Sequence, residues 1–478
     1  MSLAPGYQIT VGDRGPGSPD PGDVSSWFVV TLSERGPVGR ATESRSFSQW
    51  KATYGDKVAW SDTYRAVEAF FREGGARVVA SRVVGPAPTK GELALRNTSP
   101  ADVVKVYAAS PGDYSTGLKV TVTAGVGNER LVTLKDGGEL LWSARSFSSK
   151  EDLAAALNAT GVVTATVEAG AWPIEASAEA PLSSGTDDHG SVTTASWVAA
   201  LDAIDSDWGS GQVSAPGVTT EAIHKAVVAH ANERNRFYLL DAVDSSLAST
   251  LVSNSAAIRA LGKQAAPGMI LAPWEQVVVD GAVVAIPPSG SVAGRIARTD
   301  RVASEGPGQP AAGSYAVSQW SVGVTQEWNE TDRENLNEGG VMVIRHLRSG
   351  VQLYGFRTPV DHSLYPQYVE GNGMRVLMAI KAESDSILSG FVLRSIDGNG
   401  HLLAELNGAL TANLAGWYGR GCLFGETPQE AFSVDTASVN PPEQLALRKI
   451  AAVALVRTTP FAERVELNIT KIASADTI

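Results

Sequence analysis

The sequence predicts a multidomain α/β protein of mixed α+β character, with a central α/β core, an inserted mostly-β module and an extended strand near each end. Three observations predict it. The chain has 478 residues, which is too long for one ordinary hydrophobic core. Helical and apolar strand patterns alternate over residues 193–358, as in an α/β layer. Residues 90–185 are instead rich in Thr, Val and Ser, with turns such as Asp136-Gly137-Gly138.

The first 23 residues form an arm and a linker. Apolar and polar residues alternate over a short strand pattern made of Tyr7, Gln8, Ile9, Thr10 and Val11. Residues 12–23 are rich in Gly, Pro and Asp, which neither continue a strand nor start a helix. Fully extended, that linker spans about 40 Å. The strand can therefore leave its own domain.

Residues 24–89 are predicted to form the first part of the core. Residues 27–32 and 77–84 have strand patterns, and Ser61 is placed to cap a helix that Gly74-Gly75 ends. Residues 90–188 form the inserted module, with one helix near residues 151–157, and Asp187-Asp188-His189-Gly190 closes it. Because variable insertions suit an exposed face, we expect this module to lie on the outside of the molecule.

Residues 189–358 are predicted to complete the α/β core. Thr219 or Thr220 can cap a helix that precedes a strand at 236–240. Further patterns predict a helix at 247–261, strands at 269–271 and 282–286, and a hairpin at 341–356.

Residues 359–478 form the last predicted domain. An amphipathic helix places its apolar residues on one face; these are Leu403, Leu406, Leu410, Leu414 and Trp417. A second terminal strand alternates polar and apolar residues, namely Arg464, Val465, Glu466, Leu467, Asn468 and Ile469.

Composition excludes several classes of function. The formal charge is −12 and the pI is about 5.1, which argues against nucleic-acid binding. Cys422 is the only cysteine, so no intrachain disulfide can form and no oxidising compartment is needed. The N-terminus lacks the pattern of a signal peptide, and the apolar run at 450–456 is far shorter than a membrane span. We expect synthesis and assembly in the cytoplasm.

The motifs of common active sites do not occur in the sequence. It contains no G-x-G-x-x-G or P-loop for a nucleotide, no G-x-S-x-G elbow and no H-E-x-x-H. His224 and His230 are six residues apart on a predicted helix and point to different faces. The sequence therefore predicts no catalytic residue, no cofactor and no metal site.

A few polar residues have both a chemical and a structural interpretation. Asp241 follows a buried strand, where α/β enzymes often place a functional carboxylate, but a loop or cap role is favoured. Ser289 is expected to cap the next helix rather than act as a nucleophile. Arg298 and Asp300 are expected to make structural ion pairs. The Asp187-Asp188-His189 turn is expected to be solvated rather than to bind a cation, and Cys422 to be a small buried apolar residue.

Several blocks, in order along nearly the whole chain except the inserted module, resemble the tail sheath proteins of contractile phages and contractile injection systems. In the first part these are Ala4-Pro5-Gly6-Tyr7, Glu34-Arg35-Gly36-Pro37-Val38-Gly39, Ala66-Val67 through Phe70-Phe71-Arg72-Glu73-Gly74-Gly75, and Val78-Val79-Ala80-Ser81-Arg82-Val83. Later blocks are Pro287-Pro288-Ser289-Gly290, Ala293-Gly294-Arg295-Ile296-Ala297-Arg298-Thr299-Asp300, Pro310-Ala311-Ala312-Gly313, Tyr354-Gly355-Phe356-Arg357-Thr358 and Gly425-Glu426-Thr427-Pro428-Gln429-Glu430-Ala431-Phe432-Ser433-Val434. Tyr354 replaces the family's tryptophan, and Leu447-Arg448-Lys449 stands where a glycine usually opens the last strand.

The resemblance implies a structural role. Subunits of this family stack as sixfold rings around an inner tube in a metastable extended form, and contraction drives the tube through a target envelope without nucleotide hydrolysis. Their terminal arms add strands to sheets of neighbouring subunits. The implied partners are other copies of the chain, the inner tube protein, and baseplate and tail terminator proteins. The implied donor strands are residues 7–11 and 464–469.

Two alternatives stay open at this point. One is an α/β enzyme that uses the 193–358 region, with Asp241 and residues 287–300 as its site. The other is a different baseplate or virion component that shares only the C-terminal part. An enzyme would predict a deep polar pocket, and it gives the tethered N-terminal strand no role.

Overall fold

The computed structural model of the protein describes residues 23–462. Its strands are β1 (Trp27–Thr31), β2 (Thr42–Ser44), β3 (Val78–Arg82), β4 (Glu92–Arg96), β5 (Asp102–Ala108), β6 (Leu118–Ala124), β7 (Arg130–Asp136), β8 (Glu139–Phe147), β9 (Val163–Val167), β10 (Ser177–Pro181), β11 (Gly211–Ser214), β12 (Arg236–Asp241), β13 (Gly268–Ala272), β14 (Glu275–Val279), β15 (Ala282–Ile286), β16 (Gly323–Val324), β17 (Val341–Leu347), β18 (Gly350–Leu353), β19 (Phe432–Asp435) and β20 (Val453–Val456). Its α-helices are α1 (Phe47–Tyr54), α2 (Thr63–Arg72), α3 (Lys150–Asn158), α4 (Thr194–Asp202), α5 (Glu221–Glu233), α6 (Ala248–Arg259), α7 (Pro288–Val302), α8 (Glu330–Glu338), α9 (Gly371–Ser389), α10 (His401–Gly419), α11 (Pro428–Ala431) and α12 (Pro442–Ala446).

The centre of the molecule is an eight-stranded sheet in the order β18-β17-β13-β12-β11-β1-β3-β2. Its six inner strands are parallel, and β2 and β18 pair antiparallel at the two edges. Every residue of β1, β3, β12 and β13 is buried, as expected for parallel strands covered on both faces. The predicted α/β fold class is therefore confirmed.

Helices cover both faces of this sheet because alternate strand residues point in opposite directions. Trp27 and Val29 pack on one face, in a core that also contains side chains of α2, α7, α9 and α10. Phe28 and Val30 pack on the other face, against α4, α5, α6 and α8. The first of these two cores, here called the α7 face, joins the C-terminal helices to the sheet.

Two local expectations need correction. Asp62 occupies the N-cap position of α2, whereas Ser61 Oγ accepts the backbone N–H of Thr63 at 3.3 Å. On α10 the buried face begins with Leu402 rather than Leu403. Leu406 follows Leu403 by three residues and Leu402 by four, and both spacings fit one face of a helix. The pattern alone therefore could not show which of the two leucines is buried.

The inserted segment is mostly β, as expected. Its strands form a four-stranded sheet, β10-β6-β7-β8, and a three-stranded sheet, β4-β5-β9, around a core of their own. The buried guanidinium of Arg82 anchors this segment to the central sheet. It donates to the carbonyl oxygens of Ser33 (2.9 Å) and Pro111 (2.6 Å) and pairs with Asp187 at 3.3 Å. The boundaries of the five domains given above stay predictions.

The C-terminal part contains α9, α10 and the two-stranded sheet β19–β20, and both helices contribute side chains to the core on the α7 face. Within residues 23–462 no helix is long and apolar enough to cross a membrane.

Candidate assembly site

The β19–β20 sheet is the described feature best suited to accept further strands. Its two strands are antiparallel, with Phe432 opposite Val456 and Val434 opposite Ala454. Phe432, Val434 and Val456 pack against the core on the α7 face, so one face of the sheet is held down. On the other face Leu455 is 66% exposed and Val453 is 43% exposed.

Within residues 23–462 no further strand pairs with the outer edge of either β19 or β20, although Asn407 of α10 already bonds the Val434 carbonyl at the β19 edge. The sheet contains β19 and β20 alone, so each strand has one neighbour within residues 23–462. Open edges present unpaired N–H and C=O groups that can pair with an added strand.

Side-chain hydrogen bonds hold the sheet in position. Asn407 on α10 donates through Nδ2 to the carbonyl oxygen of Val434 at 3.0 Å. The amide of Asn440 closes the connection between the strands, because it donates to the carbonyl oxygens of Thr436 and Ala451 and accepts the N–H of Ala451, each at 2.7 Å. The sheet is thus a preformed platform rather than a loose loop.

The predicted donor strands, residues 7–11 and 464–469, lie outside the described residues, but the chain next to each of them is described. Val24 belongs to the core on the α7 face, and its carbonyl oxygen accepts from Gln212 Nε2 at 2.8 Å. Phe461 packs against the same core. Both arms therefore connect to the face of the central sheet that carries β19–β20.

Sequence analysis missed this platform, although two signals were present. Phe432, Ser433, Val434 and Asp435 alternate in polarity, which is typical of a half-buried strand. The apolar run at 450–456 follows Leu447-Arg448-Lys449, where the resembling family opens its last strand, and it contains β20. Neither signal shows that the two segments pair.

No protein-family model and no curated protein matches the sequence. Solved structures do match. The chain is similar to the sheath tail protein of Desulfitobacterium hafniense with a TM-score of 0.63 and 15% identity, over 89% of this chain and 93% of that one. It is similar to the contracted helical sheath of the anti-feeding prophage with a TM-score of 0.57 and 15% identity, over 97% and 99% of the two chains. A chain of the prophage baseplate matches with a TM-score of 0.59 and 16% identity, over 99% and 100%.

The chain has the tail sheath fold. The resemblance read from the sequence blocks is thereby confirmed at the level of fold. Three of these blocks meet in this sheath fold, because Gly290 on α7 packs directly on Ala66 of α2, and Gly294 of the next block packs on Phe70.

The rival enzyme site has a structural explanation in the tail sheath fold. Asp241, the last residue of β12, is 1% exposed and accepts three hydrogen bonds. The donors are the N–H of Gly217 (2.9 Å), the N–H of Ser289 (2.7 Å) and the hydroxyl of Ser289 (2.7 Å). Ser289 lies inside the first turn of α7, after the N-cap residue Pro287. The expectation that Ser289 caps this helix is therefore wrong, because the carboxylate of Asp241 takes that role from another strand.

Burial raises the pKa of Asp241 to about 6, and the nearby carboxylate of Asp62 acts in the same direction. The folded protein therefore holds this proton at pH values where the unfolded chain has lost it. As pH rises from about 4 to about 6, this group therefore lowers the free energy of unfolding by about 3 kcal/mol in total. Above about pH 6 its contribution no longer changes.

We expect Asp241→Asn to reduce that pH dependence. The measurement is the free energy of unfolding by urea at several pH values between 4 and 7. The wild type should lose more stability across this window than the variant. Equal slopes would contradict the assignment of the pKa to Asp241.

Arg298 and Asp300 are both ion-paired, as expected, but with distant partners rather than with each other. Arg298 Nη1 lies 3.2 Å from the carboxylate of Glu73. Asp300 pairs with Arg375 on α9, whose Nη1 donates to it at 2.8 Å. These pairs join α7 to α2 and to α9, and they give no sign of a reaction centre.

In the Asp187-Asp188-His189 turn only the first carboxylate is buried, whereas Asp188 and His189 are half-buried and reach solvent. Asp187 is 2% exposed and pairs with Arg82 and, at 2.8 Å, with His189 Nδ1. The described residues contain no group of three or more His, Cys, Asp or Glu side chains placed to hold a metal.

The two histidines of α5 and Cys422 are also parts of the core. His224 Nε2 lies 2.7 Å from the carbonyl oxygen of Val218, and burial lowers the pKa of this histidine. His230 Nε2 contacts Arg236 Nη1 at 2.6 Å, and burial lowers its pKa to about 3. Cys422 is 1% exposed, and burial raises its thiol pKa to about 11, which confirms the structural interpretation.

Proposed function

We propose that the protein is the structural subunit of a contractile tail sheath, which polymerises helically around an inner tube. The observation that carries the proposal is the β19–β20 platform, whose two outer edges pair with no further strand within residues 23–462, in a chain of the tail sheath fold. The sheet has two outer edges, one on β19 and one on β20, and the sequence predicts two terminal strands, residues 7–11 and 464–469. The number of edges thus equals the number of predicted donor strands.

In the assembled sheath each platform would accept arms from neighbouring subunits. Main-chain hydrogen bonds to the open edges of β19 and β20 supply affinity, and alternate side chains of the added strand cover Leu455 or pack beside it. If each copy donates its arm to one neighbour and receives an arm from a different neighbour, the contact joins two different surfaces and is heterologous. Contacts of this kind generate helical polymers or rings.

Contraction would move subunits while these strand pairings hold. The linker at residues 12–23 spans about 40 Å when extended, so it can bend as neighbours shift. If contraction buries about 400 Å² more apolar surface per subunit, it releases about 10 kcal/mol per subunit at ~25 cal/mol/Å². Packing could therefore drive the stroke without nucleotide hydrolysis, and we assign the chain no catalytic step.

The partners in this proposal are other copies of the chain in stacked hexameric rings, an inner tube protein, and baseplate and tail terminator proteins. The sheath would be assembled in the cytoplasm of the producing cell, as part of a phage tail or an injection particle. A second candidate is a baseplate component, favoured by the similarity to a chain of the anti-feeding prophage baseplate.

Deleting residues 1–12 tests the strand-exchange role. We expect the truncated protein to fold with unchanged thermal stability, because β1 and the core begin after residue 23. It should lose assembly, because the donor strand is gone. Sedimentation and negative-stain electron microscopy measure assembly, and circular dichroism measures folding.

A shorter truncation, residues 1–5, is the matched control because it leaves residues 7–11 in place. It should assemble like the full chain. Sheath-like tubes formed by the protein that lacks residues 1–12 would show that strand exchange by this arm is wrong.

A further inference from the structure

The loop between α9 and α10 carries an exposed apolar tip. Leu393 is 87% exposed, Val392 is 41% exposed and Ile396 is 37% exposed. Leu393 also has a φ of +65°, a backbone conformation that leucine rarely adopts. Non-glycine residues in this conformation cluster at functional sites, because the surrounding structure must offset the strain.

The tip is held in place by polar contacts on both sides. Arg394 makes a two-pronged ion pair with Glu405 of α10, at 2.8 and 2.7 Å. The carboxylate of Asp397 accepts the N–H groups of Asn399, His401 and Leu402 at 2.9 to 3.0 Å. The three apolar side chains are thus presented to solvent on a defined loop.

A concave surface lies near the opposite end of α9. A groove of about 660 Å³ runs between α9 and the ends of α5 and β13. Its apolar lining includes Leu261, Leu377 and Met378, and the exposed side chains of Lys263 and Lys381 also line it. A groove of this volume fits an apolar side chain, and its two lysines favour acidic residues beside that side chain.

The tip and the groove of one chain cannot meet. Lys381 lies eight residues before the end of α9, and the helix rises 1.5 Å per residue, so Leu393 is on the order of 15 Å away. The net charges beside the two surfaces are opposite. Near the tip, Asp397 and Glu405 against Arg394 leave one net negative charge, whereas Lys263 and Lys381 at the groove are both positive.

We propose that the α9–α10 tip of one copy inserts Leu393 into the groove of a second copy. The contact uses two different surfaces and is therefore head-to-tail, which generates rings or a helical polymer. It rests on the proposed sheath function and adds a contact made by the described, folded part of the chain. It is independent of the terminal arms.

Leu393→Asp tests the tip, with Val126→Asp as the matched control. Val126 is equally exposed, at 87%, but lies at a hairpin tip of the inserted segment. We expect Leu393→Asp to raise the critical concentration for polymerisation roughly ten- to a hundredfold, the effect of one buried leucine side chain. Val126→Asp should polymerise like wild type. Normal polymerisation of Leu393→Asp overturns the proposal.

Leu393→Gly separates assembly from folding. Glycine adopts a positive φ without strain, so this variant should unfold at a temperature equal to or above that of wild type. It also lacks the apolar side chain, so its polymerisation should still be weakened. An assembly defect that appears only together with a loss of thermal stability would count against the proposal.

A cysteine pair tests the groove. The chain with Val392→Cys and Gln264→Cys keeps Leu393 and both lysines, and it should form a ladder of disulfide-linked multimers when its polymer is oxidised, because the native Cys422 is buried. A mixture of the two single variants, which can link only between copies, should form disulfide-linked dimers. Intact tubes that yield only monomers on oxidation overturn the proposal. A polymerisation defect of Leu393→Asp that is seen only when an inner tube protein is present also overturns it. If the wild type forms no polymer at all, the proposed function itself fails.

Discussion

Replacing Arg375 with alanine should lower the free energy of unfolding by about 3–5 kcal/mol. The guanidinium of Arg375 is fully buried and makes a two-pronged ion pair with Asp300. Burial raises the pKa of Asp300, and Arg375 opposes that rise by stabilising the ionised carboxylate. Without the arginine, the carboxylate on α7 would stay buried without its partner.

This pair also fixes the position of the C-terminal helices on the core, since it joins α9 to α7. The measurement is urea denaturation of the full chain at pH 7. Lys225→Ala is the control, because its pair with Glu221 is exposed and should contribute only about 0.3–0.5 kcal/mol. The double variant Arg375→Met with Asp300→Leu should recover much of the loss. Similar stabilities for Arg375→Ala and Lys225→Ala would contradict this account of the buried pair.

Replacing Gly290 with valine should be at least as damaging, at about 3 kcal/mol or more. A Cβ at this position would lie 2.1 Å from the carbonyl oxygen and 2.6 Å from the carbonyl carbon of Ala66. One turn later, a Cβ on Gly294 would lie 2.5 Å from the carbonyl oxygen of Phe70. The obstacle is the backbone of α2, which cannot change rotamer to make room, so the two helices would have to move apart.

Gly408→Ala is the matched control, because it is a helical glycine with open space around its Cβ position. It should be neutral or stabilise the protein by up to about 1 kcal/mol, as alanine favours the helix. Thermal unfolding of both variants measures the difference. A Gly290→Val protein as stable as wild type would mean that α2 and α7 do not pack as closely as described.

Much of the fold could be predicted from local patterns. The strand at β15 and the hairpin of β17 and β18 lie where the sequence places them, because short apolar runs are bounded by Pro or Gly. The partners of charged residues could not be predicted. Glu73 meets Arg298 across 225 positions, and Asp300 meets Arg375 across 75 positions, so no local spacing reports either pair.

The candidate site was predicted only in part. Sequence patterns predicted the donor strands, which lie outside the described residues, and missed the platform at β19 and β20. A four-residue strand such as β19 is too short for its period to stand out, and its role follows from its pairing and its open edge. Likewise, the pattern near Ser289 indicated a helix cap, whereas the role of this residue depends on Asp241, 48 positions earlier.

The central claim is that this chain polymerises as a sheath, and negative-stain electron microscopy of the purified protein tests it most directly. At concentrations above the polymerisation threshold, the account predicts long hollow cylinders with a regular axial repeat. Discrete particles of one or a few subunits, seen at all concentrations and ionic strengths, would contradict it.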